Sequence, residues 1–110
     1  MTRFANGRTV QRIPFVSKGR DAHRAEVVNR GTPYDVHDAG FDPDETSEVD
    51  GRQVIQPAVL FVDPDVDTHP LDRWVVDGST YEVVGHPTRV RNDFTGHEFD
   101  TEVQLRRVVG

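Results

Sequence analysis

Three carboxylates at alternate positions, Asp63, Asp65 and Asp67 in "DPDVD", have the best spacing for chemistry in this chain. A calcium loop opens this way, but it also needs glycine at its sixth position and a bidentate glutamate at its twelfth. Those positions hold Thr68 and Trp74, so the stretch reads as a solvated turn. His37-Asp38 has the composition of a metal-phosphohydrolase pair, a chemistry that draws further His and Asp ligands from a helical scaffold. The other histidines, His23, His69, His86 and His97, share no ligand spacing. Ser17, Ser47 and Ser79 lie in neither a Gly-x-Ser-x-Gly elbow nor a phosphate-cradling Gly-x-x-x-x-Gly-Lys loop. The expectation is a protein that is not an enzyme, with no catalytic residue, no metal and no cofactor.

Arg89, Arg91, Arg106 and Arg107, with Phe94 and Phe99 between them, have the composition of a single-strand-binding surface, which sets aromatics beside cations. The charge balance opposes that reading. Lys and Arg total 13 against 19 Asp and Glu, a net charge of −6, whereas gripping phosphates favours a basic protein. The preferred reading places the phenylalanines in a core and lets the arginines balance nearby carboxylates. The chain has no cysteine, which removes disulfides, thiol nucleophiles and thiolate metal sites.

With 110 residues the chain has the size of a single domain, 1–110. Only 35% of it is hydrophobic, and the mean hydropathy is −0.62. A domain this size buries roughly 60–70% of its extended surface, which predicts marginal stability alone and a fold completed by neighbours. No stretch approaches the roughly 20 apolar residues of a membrane span, so a soluble protein made in a cytoplasm is expected.

The elements that must position any surface are mostly strands. "RTVQRIPFVS" alternates Val10 and Arg12 against Thr9, Gln11 and Ile13, and Pro14 suggests an edge strand or a bulge. In "KGRDAHRAEVVNRGTP", Asp21 is placed either to cap a short helix over residues 22–28 or to open a long hairpin. "HDAGFDPDETSEVDGR" carries Asp38, Asp42, Asp44, Glu45, Glu48 and Asp50, a like-charge density that predicts a mobile loop. "QVIQPAVLFV" is apolar on both parities, as in a strand covered on both faces, with Pro57 marking a bulge or a bend.

"RWVVDGSTYEV" is a hairpin, because Asp77-Gly78 suits the positive φ angles of a type I′ turn. The register then sets Val76 opposite Ser79, Val75 opposite Thr80, Trp74 opposite Tyr81 and Arg73 opposite Glu82. "FDTEVQLRRVV" alternates Phe99, Thr101, Val103 and Leu105 with polar residues. The fold class is all-β: a small antiparallel barrel or sandwich of five or six strands, with long acidic loops and at most one short helix.

The ordered series Asp72, Val75-Val76, Asp77-Gly78, Tyr81-Glu82-Val83, Gly85-His86-Pro87, Phe94-Thr95-Gly96, Thr101-Glu102-Val103 and Leu105-Arg106-Arg107-Val108 resembles the close of the head-closure, or head-to-tail stopper, proteins of long-tailed actinobacteriophages. The likeness runs from about residue 53 to residue 110, and Trp74 falls within it. It implies a virion neck protein, assembled in the host cytoplasm as a sixfold or twelvefold ring of itself. Portal and adaptor proteins would lie above it, and a tail terminator or tail tube below. Packaged double-stranded DNA would cross the channel without sequence-specific binding, and no membrane would be involved. Within that expectation the acidic residues Asp38 to Asp50 are the plug, and Arg89, Arg91, Arg106 and Arg107 are candidates for contacts between subunits. Adaptor and tail-completion proteins of the same neck, and a single-stranded nucleic-acid-binding barrel, are the alternatives.

Overall fold

The computed structural model describes residues 7–43, 48–50, 53–91 and 98–109, and among them all regular structure is strand. The strands are β1 (Arg8–Ile13), β2 (Phe15–Arg20), β3 (Glu26–Arg30), β4 (Tyr34–Pro43) and β5 (Glu48–Asp50). β6 (Gln53–Val62), β7 (Arg73–Val76), β8 (Ser79–Val83), β9 (Thr88–Arg91) and β10 (Glu98–Val109) follow. Six of them, in the order β6-β4-β1-β7-β8-β10, close into an antiparallel barrel through the β10–β6 ladder. Closure removes the unpaired edges that a six-stranded sheet would otherwise expose. β5 extends the ladder of β6, β9 extends that of β10, and β2 and β3 form a separate two-stranded sheet.

Each barrel strand contributes to one core. Val10, Val36, Ala39, Ala58, Leu60, Val62, Trp74, Val76, Val103 and Leu105 are buried, with Tyr81 and Val83 of β8 packed against them. The β7–β8 hairpin has the expected register at all four pairs. Asp77 and Gly78 take φ values of 50° and 80°, as the turn requires. On its outer face Glu82 makes its ion pair with Arg106 of β10, at 3.3 Å, although Arg73 stands directly opposite it in register.

Three expectations are corrected, and of the two readings for the stretch after Asp21 the hairpin holds. β1 is an interior strand paired with both β4 and β7. Pro14 falls in the break between β1 and β2, so its missing N–H interrupts neither ladder. Residues 22–28 form no helix. Asp21 instead uses its capping ability in a hairpin turn, where its Oδ1 accepts from the N–H groups of His23 and Ala25 at 2.8 and 3.0 Å.

Much of the acidic stretch is strand, because β1 and β6 flank β4 and satisfy its backbone despite the charge. Asp38 and Asp42 lie on β4, Glu48 and Asp50 lie on β5, and Asp44 and Glu45 fall outside the described residues. The β4 register slips opposite Arg8 and Val10, with Asp38 at φ 55°. This bulge turns both Val36 and Ala39 inward at a spacing of three. Finally, Pro57 marks no bulge, since β6 pairs with β10 in continuous register from Val54 to Val62. Pro57 sits where the other neighbour of β6 changes from β5 to β4.

Among the described residues two buried side-chain polar atoms have no hydrogen-bond partner: Trp74 Nε1 and Thr101 Oγ1. Replacing Thr101 by the near-isosteric valine should therefore stabilise the fold by about 1 kcal/mol, since a hydroxyl stripped of water and unpaired is a net cost. Trp74→Ala should cost about 3–5 kcal/mol through the cavity it leaves. Urea unfolding of both variants checks this, and a loss of stability in Thr101→Val would mean that the hydroxyl is bonded in solution.

Candidate functional site

Arg12 follows Val10 on the inward parity of β1, and a cation there must find an anion or unfold the barrel end. It finds Asp72, whose carboxylate is 60 residues away in sequence and shielded from solvent. Arg12 Nε donates to Asp72 Oδ2 at 2.7 Å and Nη2 donates to Oδ1 at 3.2 Å, a two-pronged contact. The N–H of Phe15 donates to Oδ1 at 2.8 Å, and that of His69 donates to Oδ2 at 2.8 Å. Four donors thus satisfy a carboxylate that water cannot reach. Burial alone would depress the pKa of Arg12, but its hydrogen bonds to Asp72 and to the Tyr34 hydroxyl, with their charges, raise it overall.

This node is the root of an arm. β2 and β3 pair with one another through the register Ser17–Asn29, Lys18–Val28, Gly19–Val27 and Arg20–Glu26. Among the described residues they join no other sheet. The arm is tied down only at its base. There, besides the Phe15–Asp72 bond, Arg30 Nη1 donates to the Leu71 carbonyl and the Gly31 N–H donates to the Pro14 carbonyl. Phe15 stacks on the His69 ring with centroids 4.4 Å apart. A Cβ on Gly31 would come within 3.0 Å of the Pro14 ring, so glycine allows the two ends of the arm to meet.

Beyond that base the arm is exposed. Val16 is 61% and Val27 is 37% accessible. Its tip is ordered by backbone bonds between Asp21 and Ala25 and by Arg20 donating to the Arg24 carbonyl at 2.9 Å. A cleft of about 220 Å³ beside the root is lined by Arg30, Leu71, Arg73 and Glu82, among others. There burial, and then the like charge of Arg73, lower the Arg30 pKa.

The residues singled out from the sequence are scattered around this feature. Trp74, Asp77, Gly78 and Tyr81 build the β7–β8 hairpin, and Gly85 (φ 69°) and Pro87 lie in the link to β9. Thr95, Gly96 and Phe94 are outside the described residues. The four arginines do not form one strip. Arg89 pairs in register with Thr101, so Arg106 lies about 17 Å farther along β10 at ~3.3 Å per residue. Arg106 faces outward to Glu82, while Arg107 continues the inward parity of Thr101, Val103 and Leu105. "DPDVD" is a turn in which the Asp65 N–H donates to Asp63 Oδ1, and among the described residues no three His, Asp or Glu side chains converge as metal ligands. The Arg12–Asp72 pair was missed in sequence, and of the arm only its hairpin was among the readings, not its separation from the barrel sheet. The signal was a cation sharing the core-facing parity of Val10.

No protein-family model and no curated protein matches the chain.

Asp72→Ala should destabilise the fold by about 3–5 kcal/mol, because it strands a buried guanidinium. Tyr34→Phe removes only one of the bonds to Arg12 and should cost about 1 kcal/mol. Arg12→Lys should fall between the two, since an ammonium cannot reproduce the planar fork. Chemical unfolding gives all three values, and a neutral Asp72→Ala would show that the node carries little of the stability.

Proposed function

We propose that this chain is a structural subunit of a bacteriophage neck. In this reading it is a ring-forming head-to-tail stopper that closes the portal channel after DNA packaging and presents the docking surface for the tail. The observation that carries the reading is the combination of a closed barrel with an arm that, beyond its anchored base, pairs with no other strand among the described residues. An isolated two-stranded hairpin is marginal in water, so an ordered one calls for a partner. A ring subunit has such partners on both sides and needs no catalytic group.

The resemblance supports the same reading, and its residues have physical work in this fold. Asp72 anchors the arm, and Asp77-Gly78 turns the β7–β8 hairpin that carries Tyr81 against the core. The net charge of −6 suits a channel component, because carboxylates repel DNA phosphates and let a genome slide. In this reading the plug is the acidic stretch Asp38 to Asp50, with Asp42, Asp44, Glu45 and Glu48 among its carboxylates. The partners are further copies of the chain, portal or adaptor proteins above, and a tail terminator or tail tube below. An adaptor or tail-completion role in the same neck would use the same barrel.

Interrupting the gene in the virus that encodes the chain should yield heads that lose their DNA and tails that stay unattached. Electron microscopy and nuclease sensitivity of the packaged genome score this. Infectious particles at normal yield without the chain overturn the reading. Deleting residues 44–47 should leave tails attached but let filled heads leak, and unchanged DNA retention places the plug elsewhere.

A further inference from the structure

We propose that the β2–β3 arm docks, as an added pair of strands, on the acidic β4–β5 edge of a second copy of this chain. The proposal deepens the ring reading above by naming which two surfaces meet.

Charge is the first support. Residues 14–31 hold Lys18, Arg20, Arg24 and Arg30 against Asp21 and Glu26, a net of +2, which leaves −8 on the rest of a chain whose total is −6. Within the arm Lys18 reaches Glu26 only at 3.5 Å, with both side chains more than half exposed. Acidic residues occupy the facing edge too: Asp42 near the end of β4, and Glu48 and Asp50 on β5, fall within nine positions.

Backbone chemistry is the second support. Each arm strand has one ladder edge that no strand covers among the described residues, and so does β5, which pairs with β6 alone. Unpaired edges of opposite charge are the elements of strand addition, in which main-chain bonds supply affinity and side chains supply selectivity.

Placement is the third, and it makes the contact intermolecular. The arm leaves the barrel where Arg12 of β1 stands opposite Tyr34 of β4. The acidic edge lies at the other end of β4, where Pro43 pairs with Ala58 and β5 takes over from β4 along β6. Ten residues of β4 separate the two by about 30 Å at ~3.3 Å per residue, and among the described residues no barrel strand pairs with the arm. The arm of one copy therefore meets the acidic edge of the next. Such a contact is head-to-tail and repeats from copy to copy.

The absence of native cysteine makes the test clean. Lys18→Cys and Val49→Cys are introduced together in the full chain and oxidised, both in concentrated solution and on portal–adaptor complexes. A ladder of covalent multimers is expected, with only dimers from a mixture of the two single variants. Independently, Lys18→Glu with Arg24→Glu should weaken self-association about tenfold or more at low salt, and Glu48→Lys with Asp50→Lys should do the same. Combining all four should restore it. Hydrogen exchange along β2 and β3 verifies that the arm stays paired in the variants.

Rings that assemble on the portal without the ladder overturn the arm contact and leave the neck reading standing. A ladder in solution with no assembly on portal complexes supports the arm contact and overturns the neck reading. If the charge swap fails to restore association, or if the arm instead retains DNA, the second copy is not the occupant.

Discussion

The carboxylate of Asp72 is the constraint on which the rest of the structure depends. It lies in the segment that leads into β7, yet two of its four donors come from the Arg12 side chain in β1 and one from the backbone at the start of β2. The fourth, the His69 N–H, closes the local turn on itself, and the Asp72 N–H returns a bond to the His69 carbonyl at 3.0 Å. A buried ion pair gains little net stability over a hydrophobic pair of similar shape, because both charges must first lose their water. Its contribution is direction. Each bond has a preferred line of approach, so four of them on one carboxylate fix where β1 ends, how the chain enters β2 and where the 69–72 turn sits against both. A greasy contact would hold these segments together without choosing their angle.

Barrel closure and arm projection are two answers to the same problem of thin hydrophobic content. The ten buried apolar residues among those described, many of them valine or alanine, fill a core only when strands wrap around it on all sides, and buried Trp74 supplies volume that the small residues lack. What closure cannot use is pushed outward: Val16, Val27, Tyr34 and Val84 stay exposed. Two of those four are on the arm. In the proposed assembly those two valines are what a neighbouring copy would cover.

Legibility in the sequence followed the range of the interactions. The β7–β8 register could be read residue by residue, because a two-residue Asp-Gly turn leaves no freedom in pairing. β10 could be read from strict alternation, and Thr101, Val103 and Leu105 do face inward. β4 could not. The bulge at Asp38 breaks the period of two between Val36 and Ala39, and its carboxylates argue for solvent while β1 and β6 recruit its backbone from either side. Arg12 and Asp72 were legible separately, one as a cation on a core-facing position and the other as part of a motif. Their pairing was not, since only the fold brings residues 12 and 72 together. The arm was half legible: breakers and a capping Asp21 marked a turn, but a sequence does not say whether a hairpin lies on the barrel or stands away from it.

If the arm meets the acidic edge of the next copy, the rotation from one subunit to the next is set by the angle at which the arm leaves its barrel. Heterologous contacts close into a ring only when that rotation divides a full turn, and otherwise they run on as a helix. A loose root would sample many angles and give mixtures of open chains and rings of different size. The Phe15–Asp72 and Arg30–Leu71 bonds, the Phe15–His69 stack and the close approach of Gly31 to Pro14 all act at that root. A desolvated charged node, expensive as a source of stability, is well suited to holding one angle under load. Its place at the base of the arm, where Arg12 stands opposite Trp74 in register, is where such rigidity would set the symmetry of that assembly.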